Sequence, residues 1–371
     1  MSAATTEGRM PRVSIDAAAL AGNWRKLAAL SPAGRTGAAV KADGYGLGAA
    51  RVASTLFDAG CRDFFVAWAT EGIALHESLG DRPARIFVLQ GLDTSNVSDI
   101  RDAGLVPVLS TPEDVALWLE AGGGMPAALQ FETGMNRLGL DAADAMRAAE
   151  LTATGALKLK LVMSHLASAD EAGGQAEQQL GIFDLLANLF PGVPRSLANS
   201  AAMLRGAPFR LDLNRPGIAL YGGGDPDGRF GLAPVASLTA AVLQVRTADR
   251  GEAAGYGAAA RLRRDTRIAT VGIGYADGLM RMASGAGVPA PANRPPPAAF
   301  IAGRAVPILG RISMDLTLLD VTDLPDGAVK PGDRAEFFGP NVSIDRVALG
   351  AGTIPYELLT GLGARVARVW P

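Results

Sequence analysis

Over roughly the first 230 residues, short apolar runs alternate with segments whose apolar residues recur every three or four positions. The continuous runs read as strands buried on both faces, and the amphipathic segments as helices packed against them. The predicted strands are Thr36–Lys41, Asp63–Ala67, Arg85–Leu89, Val106–Leu109, Ala127–Glu132, Lys158–Ser164, Ser196–Ala198 and Gly217–Tyr221. Helices are predicted between them at Asp16–Leu30, Gly48–Ala59, Thr111–Ala121, Asp141–Leu151 and Ala176–Phe190. Thr111-Pro112-Glu113-Asp114 marks one helix start, with a capping hydroxyl, proline in the first turn and acids at the positive end. Such alternation predicts an α/β fold with a parallel sheet and right-handed crossovers, and the strand count favours a (β/α)8 TIM-type barrel. A doubly wound open sheet competes with it, and periodicity alone does not separate the two.

Beyond about Leu232 the pattern changes. Ser237–Arg246, Thr266–Ile273, Ala305–Val321 and Asp333–Phe338 are short β-type runs broken by Gly, Pro and Asp turns. The proline-rich stretch Ser284–Pro297 reads as a loop or insertion. The expected organisation is a barrel over residues 12–231 and a mainly-β C-terminal domain over 232–371, with residues 1–11 packing with the latter.

The length of 371 residues agrees with two domains at about 150 residues each. With 49% apolar and 19% charged residues, the chain can bury a large core, which excludes general disorder. A net charge of −2 excludes a globally basic nucleic-acid binder. Arg261, Arg263, Arg264 and Arg267 could grip an anion, but a solvated edge is the favoured reading. The single cysteine, Cys61, allows no internal disulfide and is expected to fill core space. Two histidines, His76 and His165, are too few for a histidine-built metal centre, so no metal is expected. Residues 1–16 lack the apolar core of a secretory signal, and no run of about 18 apolar residues could span a membrane. The expectation is a cytoplasmic protein with neither nucleic acid nor membrane as partner.

One constellation carries chemistry. In Ala39-Val40-Lys41-Ala42-Asp43-Gly44-Tyr45-Gly46-Leu47-Gly48 a lysine closes an apolar strand and a glycine-rich turn leads into a helix. Burial lowers an amine's pKa, and such an amine can condense with an aldehyde. The glycines permit close backbone approach to a ligand, and Tyr45 offers a hydroxyl to a phosphate. Taken alone, the lysine could equally be one that snorkels from a βα loop.

This segment resembles the cofactor-lysine signature of bacterial alanine racemases, pyridoxal phosphate (PLP) enzymes with a barrel and a β domain. Further matches follow in order: Glu132-Thr133-Gly134-Met135-Asn136-Arg137, Ser164-His165, Ala198-Asn199-Ser200-Ala201 and Arg215-Pro216-Gly217-Ile218. The second domain adds Gly255-Tyr256-Gly257, Gly274-Tyr275, Gly310 to Met314-Asp315, and Ile354-Pro355-Tyr356-Glu357. Lys41, Arg137, His165, Ser200 and Arg215 all fall at or just beyond the C-terminal ends of predicted strands, the face where barrel enzymes build their sites.

The resemblance implies a PLP-dependent alanine racemase that supplies D-alanine for peptidoglycan, acting as a homodimer with sites shared between subunits. It implies that Lys41 holds PLP and shares the acid/base work with Tyr256 of the other subunit. An ordinary tyrosine is a poor base at neutral pH, so cationic neighbours are needed, with His165 and Arg215 as candidates. Arg215 would face the pyridine nitrogen, where a permanent cation disfavours protonation. Tyr45, Asn199, Ser200, Gly217, Ile218 and Tyr356 complete the implied cofactor site. Arg137, Met314, Tyr275 and Asp315 are implied for the substrate, an amino acid.

The chain departs from the family pattern at several positions. Leu47 stands where related sequences carry histidine, and Gln130 where many carry a carbamylated lysine that braces the substrate-steering arginine. Ser196 replaces a histidine beside the pyridine arginine, and Ser313 a cysteine. The rival readings are a racemase of broader specificity for serine or basic amino acids, a non-catalytic PLP-binding barrel, and a decarboxylase. The β domain argues against the PLP carrier. Arg215 argues against the decarboxylase, which uses an acid at that position.

Overall fold

The computed structural model describes residues 8–289, 291 and 293–371. The sequence expectations for residues 1–7, and for 290 and 292 within the 284–297 stretch, lie outside the described residues. The chain divides into two compact units, Leu20–Leu220 and residues 8–19 together with Tyr221–Pro371.

In the first unit, a parallel sheet runs in chain order through Ala38–Ala39, Asp63–Val66, Arg85–Val88, Val106–Leu109, Ala127–Gln130, Leu159–Met163 and Arg195–Ser196. Leu213–Asn214 pairs in parallel with Arg35–Thr36, the first half of the opening strand. The Arg215 N–H donates to the Ala198 carbonyl at 2.9 Å, and the Ala39 N–H to Pro216 at 2.9 Å. These bonds close the sheet into a barrel. The opening strand breaks at Gly37, where a Cβ would come within 2.7 Å of the Asp63 carbonyl oxygen. Phe65, Phe87, Val106, Val108, Ala128, Leu161, Met163 and Leu213 fill the interior, with Phe65 and Phe87 stacked at 4.8 Å. Alternate residues such as Phe64, Ile86, Leu129 and Val162 are equally buried. Burial on both faces is why these strands read as unbroken apolar runs.

The eighth strand is Leu213–Asn214 rather than Gly217–Tyr221. Ile218–Tyr221 forms a 3-10 turn. The Gly217 and Ala219 N–H groups donate to the Ser200 hydroxyl at 2.8 and 3.2 Å, which removes them from a strand ladder. The helix predicted from Thr111 runs Pro112–Ala121, with the Thr111 hydroxyl accepting from the Asp114 N–H at 3.1 Å.

The second unit is built on the long strand Ala236–Ala248. One stretch pairs with Arg334–Phe338 and another with Thr266–Val271, with bulges at Leu238/Thr239 and Val242/Gln244. Thr317–Asp320, Arg304–Leu309 and Ala298–Ile301 complete an antiparallel ring. Arg12–Ile15, which the sequence reading placed in the barrel, instead pairs with Ala236–Thr239 and with Ala367–Val369. Val13 and Ile15 are fully buried there, an alternation that suits a sheet with one buried face. Two short helices, Ile344–Ala351 and Pro355–Thr360, follow the ring.

Candidate active site

Lys41 begins a tight turn immediately after Ala38–Ala39. Ala42, Asp43, Gly44 and Tyr45 have φ of 53°, 53°, 63° and 59°, a full left-handed turn closed by the Gly44 N–H on the Val40 carbonyl at 2.8 Å. Residues other than glycine resist this region by roughly 1–2 kcal/mol each, so the turn needs outside support. The Asp43 carboxylate accepts from the Ala49 N–H at 2.8 Å, and the Glu71 carboxylate from the Ala42 N–H at 2.7 Å. The turn buries Tyr45. Its hydroxyl lies against Gly217, where a Cβ would overlap it, so only glycine allows the two to meet.

Arg137 stands on the loop after Ala127–Gln130. The Glu132 carboxylate shapes that loop by accepting N–H groups from Gly134, Met135 and Arg137. Burial pushes the Glu132 carboxyl up, but these donors together with the Asn136 N–H outweigh it and hold the pKa below its ordinary value. Gln130 is buried and spends its amide N–H on the Leu138 carbonyl at 3.0 Å. It braces the loop's backbone and brings no negative charge.

Arg215 is buried, and among the described residues no carboxylate pairs with it. Its guanidinium donates to the Ser196 hydroxyl and to the carbonyls of Ser164, at 2.6 Å, and Leu197, at 3.5 Å. It also lies 5.9 Å from the Phe65 ring centroid, within cation–π range. Ser196 passes the bond on to the Leu213 carbonyl. Burial lowers the Arg215 pKa to about 10, which leaves it charged at neutral pH.

Lys41 is an exposed residue of the single chain, yet protein surrounds its amine closely enough to depress it. Its pKa falls below the ordinary value through burial and then the charge of Arg137, with Glu71 opposing and Arg215 adding a smaller push. His165 is driven to about 3 by burial and by the charges of Arg215, Arg137 and Lys41. The imidazole is therefore neutral, and it is not the cation the sequence reading offered to Tyr256. The fixed positive charges of this site are Arg137 and Arg215.

Ser200 opens the helix Ser200–Arg205 and Asn199 caps it, accepting from the Ala202 N–H at 2.9 Å. In the barrel unit the structure thus brings Lys41, Arg137, His165 and Arg215 into one electrostatic cluster, and Tyr45, Gly217 and Ser200 into one cradle.

The remaining predicted residues lie in the β unit, most of them in one loop cluster. The Tyr275 N–H donates to Ser313 and the Ala276 N–H to Met314, each at 3.0 Å. Arg365 bridges Asp277 and Asp315 at 2.9 and 2.8 Å, and Arg311 donates to the Tyr256 carbonyl at 3.1 Å. Tyr356 is on the helix Pro355–Thr360. Tyr256, Tyr275 and Met314 are 69%, 42% and 53% exposed. Elsewhere, Cys61 is buried with its thiol pushed up to about 12 by burial, and His76 is an exposed helix residue. Arg264 pairs with Asp320 and Asp323, and Arg267 with Asp326, so both are engaged by acids at and just beyond the end of the paired strand Thr317–Asp320.

Sequence reasoning did not single out Glu71. Its spacing after Ala67-Trp68 is that of a carboxylate capping a helix, but Trp68 in place of a capping hydroxyl hid the signal.

A closed (β/α)8 barrel with lysine, arginine and imidazole gathered beyond its strand ends places the chain among the barrel enzymes. Comparison with known proteins is specific. Residues 15–225 match the family described as "Alanine racemase, N-terminal domain", and residues 235–370 match "Alanine racemase, C-terminal domain". The chain belongs to the alanine racemase family. It is 45% identical to an alanine racemase of Rhizobium meliloti over 97% of this chain and 96% of that one. It is 43% identical to a biosynthetic alanine racemase of Agrobacterium fabrum over 96% and 93%. The Bartonella henselae alanine racemase, solved with covalently bound pyridoxal phosphate, superposes with a TM-score of 0.87 at 35% identity, covering 98% of this chain and 99% of that one.

Proposed function

We propose that this protein interconverts L- and D-alanine, using pyridoxal phosphate held at the barrel mouth, and so supplies D-alanine for peptidoglycan. The observation that carries this reading is the pairing of a depressed Lys41 amine with a buried arginine that has no carboxylate partner among the described residues. The residues fit an anionic aldehyde. Lys41 is the amine that would hold it, and Tyr45, Ser200, Gly217, Ile218 and Asn199 would take its phosphate side. The cluster's fixed cations would offset its charge. When bound, that group supplies an electrophilic carbon for the amine and a conjugated ring that accepts electron density from the substrate Cα.

The chain's own residues then decide the outcome. Lys41 moves a proton at one face of Cα, and Tyr256 of a second subunit moves one at the other. Arg137 steers the substrate carboxylate, and the Met314 backbone of the second subunit receives it, with Tyr275 at the entrance and Asp315 following Met314. Arg215 stays cationic whatever the pH of the cell, which discourages a proton on the ring nitrogen and limits side reactions. The neutral His165 packs the site without adding a mobile proton. The exposure of Tyr256, Tyr275 and Met314 in a single chain supports a homodimer with shared sites. A cytoplasmic location is supported by the single, buried cysteine. Among the described residues, no helix is long and apolar enough to cross a membrane.

The test is a substrate panel. Purified protein with pyridoxal phosphate receives each L-amino acid in turn, and chiral chromatography detects the product. Alanine should racemise fastest. A higher rate with serine, lysine or arginine would give the broader racemase instead, and no racemisation at all would refute the reading.

A further inference from the structure

We propose that Glu71 is a positioning residue for Lys41, a latch that holds the left-handed turn on which the lysine stands. The proposal rests on Lys41 being the cofactor-bearing residue. Glu71 sits three residues into the helix Ala69–Leu79 and has two tasks. One carboxylate oxygen accepts from the Ala67 and Trp68 N–H groups, at 2.7 and 3.3 Å, and so caps its own helix. The other crosses to a different βα loop and accepts from the N–H of Ala42, the residue after Lys41, at 2.7 Å.

The barrel contains an internal control. Asp114 occupies the same third position of the helix Pro112–Ala121 and caps it through the Ser110 and Thr111 N–H groups, at 2.9 and 3.1 Å. Aspartate therefore suffices to cap a helix in this fold. Glutamate has one more methylene, and here that extra length brings its second oxygen to the lysine turn. The turn is where a latch is needed, because Ala42, Asp43 and Tyr45 all hold positive φ. A released Ala42 amide would let the peptide after Lys41 rotate toward ordinary right-handed values. That rotation would swing the lysine and withdraw Tyr45 from Gly217. Glu71 also places its charge near the amine, opposing the burial and the Arg137 and Arg215 charges that depress it.

The experiment compares the wild-type holoenzyme with Glu71→Asp, Glu71→Gln and Asp114→Asn. The readouts are thermal stability and the rate at which hydroxylamine strips the lysine-held cofactor, followed by visible absorbance. Glu71→Asp keeps a carboxylate for the cap and gives up the reach to Ala42. Stripping should be about tenfold faster, the equivalent of one charged hydrogen bond. Its melting temperature should fall no further than that of Asp114→Asn. Glu71→Gln retains a single acceptor oxygen and should also strip faster. Asp114→Asn should lose stability with its stripping rate unchanged. Wild-type stripping in Glu71→Asp, or equal acceleration in Asp114→Asn, overturns the latch. A wild type that takes up no cofactor on Lys41 overturns the underlying reading and the proposal with it. Amide exchange in the wild type keeps the claim testable should Glu71→Asp not fold. Ala42 should be protected, and exchange as fast as an exposed loop amide would overturn the proposal.

Discussion

Gly217→Ala is the smallest change that should disable the cofactor cradle. A Cβ at residue 217 would overlap the Tyr45 hydroxyl and stand 3.0 Å from the ring's Cζ and 3.6 Å from the Ala39 Cβ. The Gly217 backbone is not in the left-handed region, so alanine introduces no backbone strain. The effect is purely steric. Tyr45 is buried on a turn of fixed hand, and a phenol cannot move its hydroxyl without swinging the whole ring. Overpacking of this kind costs about 1–3 kcal/mol. If half of that falls on the bound state, cofactor affinity drops by about two- to twelvefold, since 1.4 kcal/mol is a factor of ten. The assay is a titration of apoprotein with pyridoxal phosphate, followed by visible absorbance and paired with thermal denaturation. Tyr45→Phe removes the overlapping atom and should restore part of the stability lost in Gly217→Ala, a coupling that a double-mutant cycle measures directly. Wild-type affinity and melting in Gly217→Ala would refute the close approach. Strictly additive losses in the double mutant would place the damage somewhere other than the Tyr45 hydroxyl.

Arg215→Glu should lower racemisation by about tenfold or more, one hydrogen bond to a charged group being worth about 1.5–3 kcal/mol, and should change the visible spectrum under substrate. Unchanged rates and spectra would remove Arg215 from the ring. The His165 pKa of about 3, against an ordinary 6.5, means that the unfolded chain binds the extra proton first as pH falls. His165 should therefore cost the apoprotein stability progressively between those two values, and His165→Gln should flatten the acid side of its stability curve. Parallel curves for variant and wild type would mean that the imidazole titrates normally in the fold. Lys41→Ala and Tyr256→Phe should each be inactive alone, yet recover about a quarter of wild-type activity when co-refolded. Half the dimers are then mixed, each with one intact site, by the symmetry of a two-fold pair. No recovery above background in samples with proven subunit exchange would sink the shared site.

The local pattern carried much of this in advance. Continuous apolar runs such as Phe64–Val66 and Val106–Leu109 show double-sided burial in one dimension, because their neighbours on both faces are apolar wherever they come from. Thr111 and Asp114 show a helix start for the same reason: a cap involves residues only a few positions apart. The Lys41 segment and the motifs that follow it were legible through their resemblance to a known family, which runs of neighbouring residues carry. What depended on residues far apart in the chain was not legible. Arg12–Ile15 alternates polar and apolar residues, but only the pairing with Ala236–Thr239 makes it a strand and assigns it to the β unit. Gly217–Tyr221 has the apolar character of a strand, and it became a turn because Ser200 takes its N–H groups. His165 loses its charge through burial and three cations brought from other loops, none of which its own neighbours in sequence disclose. Glu71 reads as a helix cap until the barrel sets Ala42 beside it. Propensity, capping and patterning act over a few residues and are written in the sequence. Burial, field and reach are sums over the folded surroundings, so only the tertiary structure could decide them.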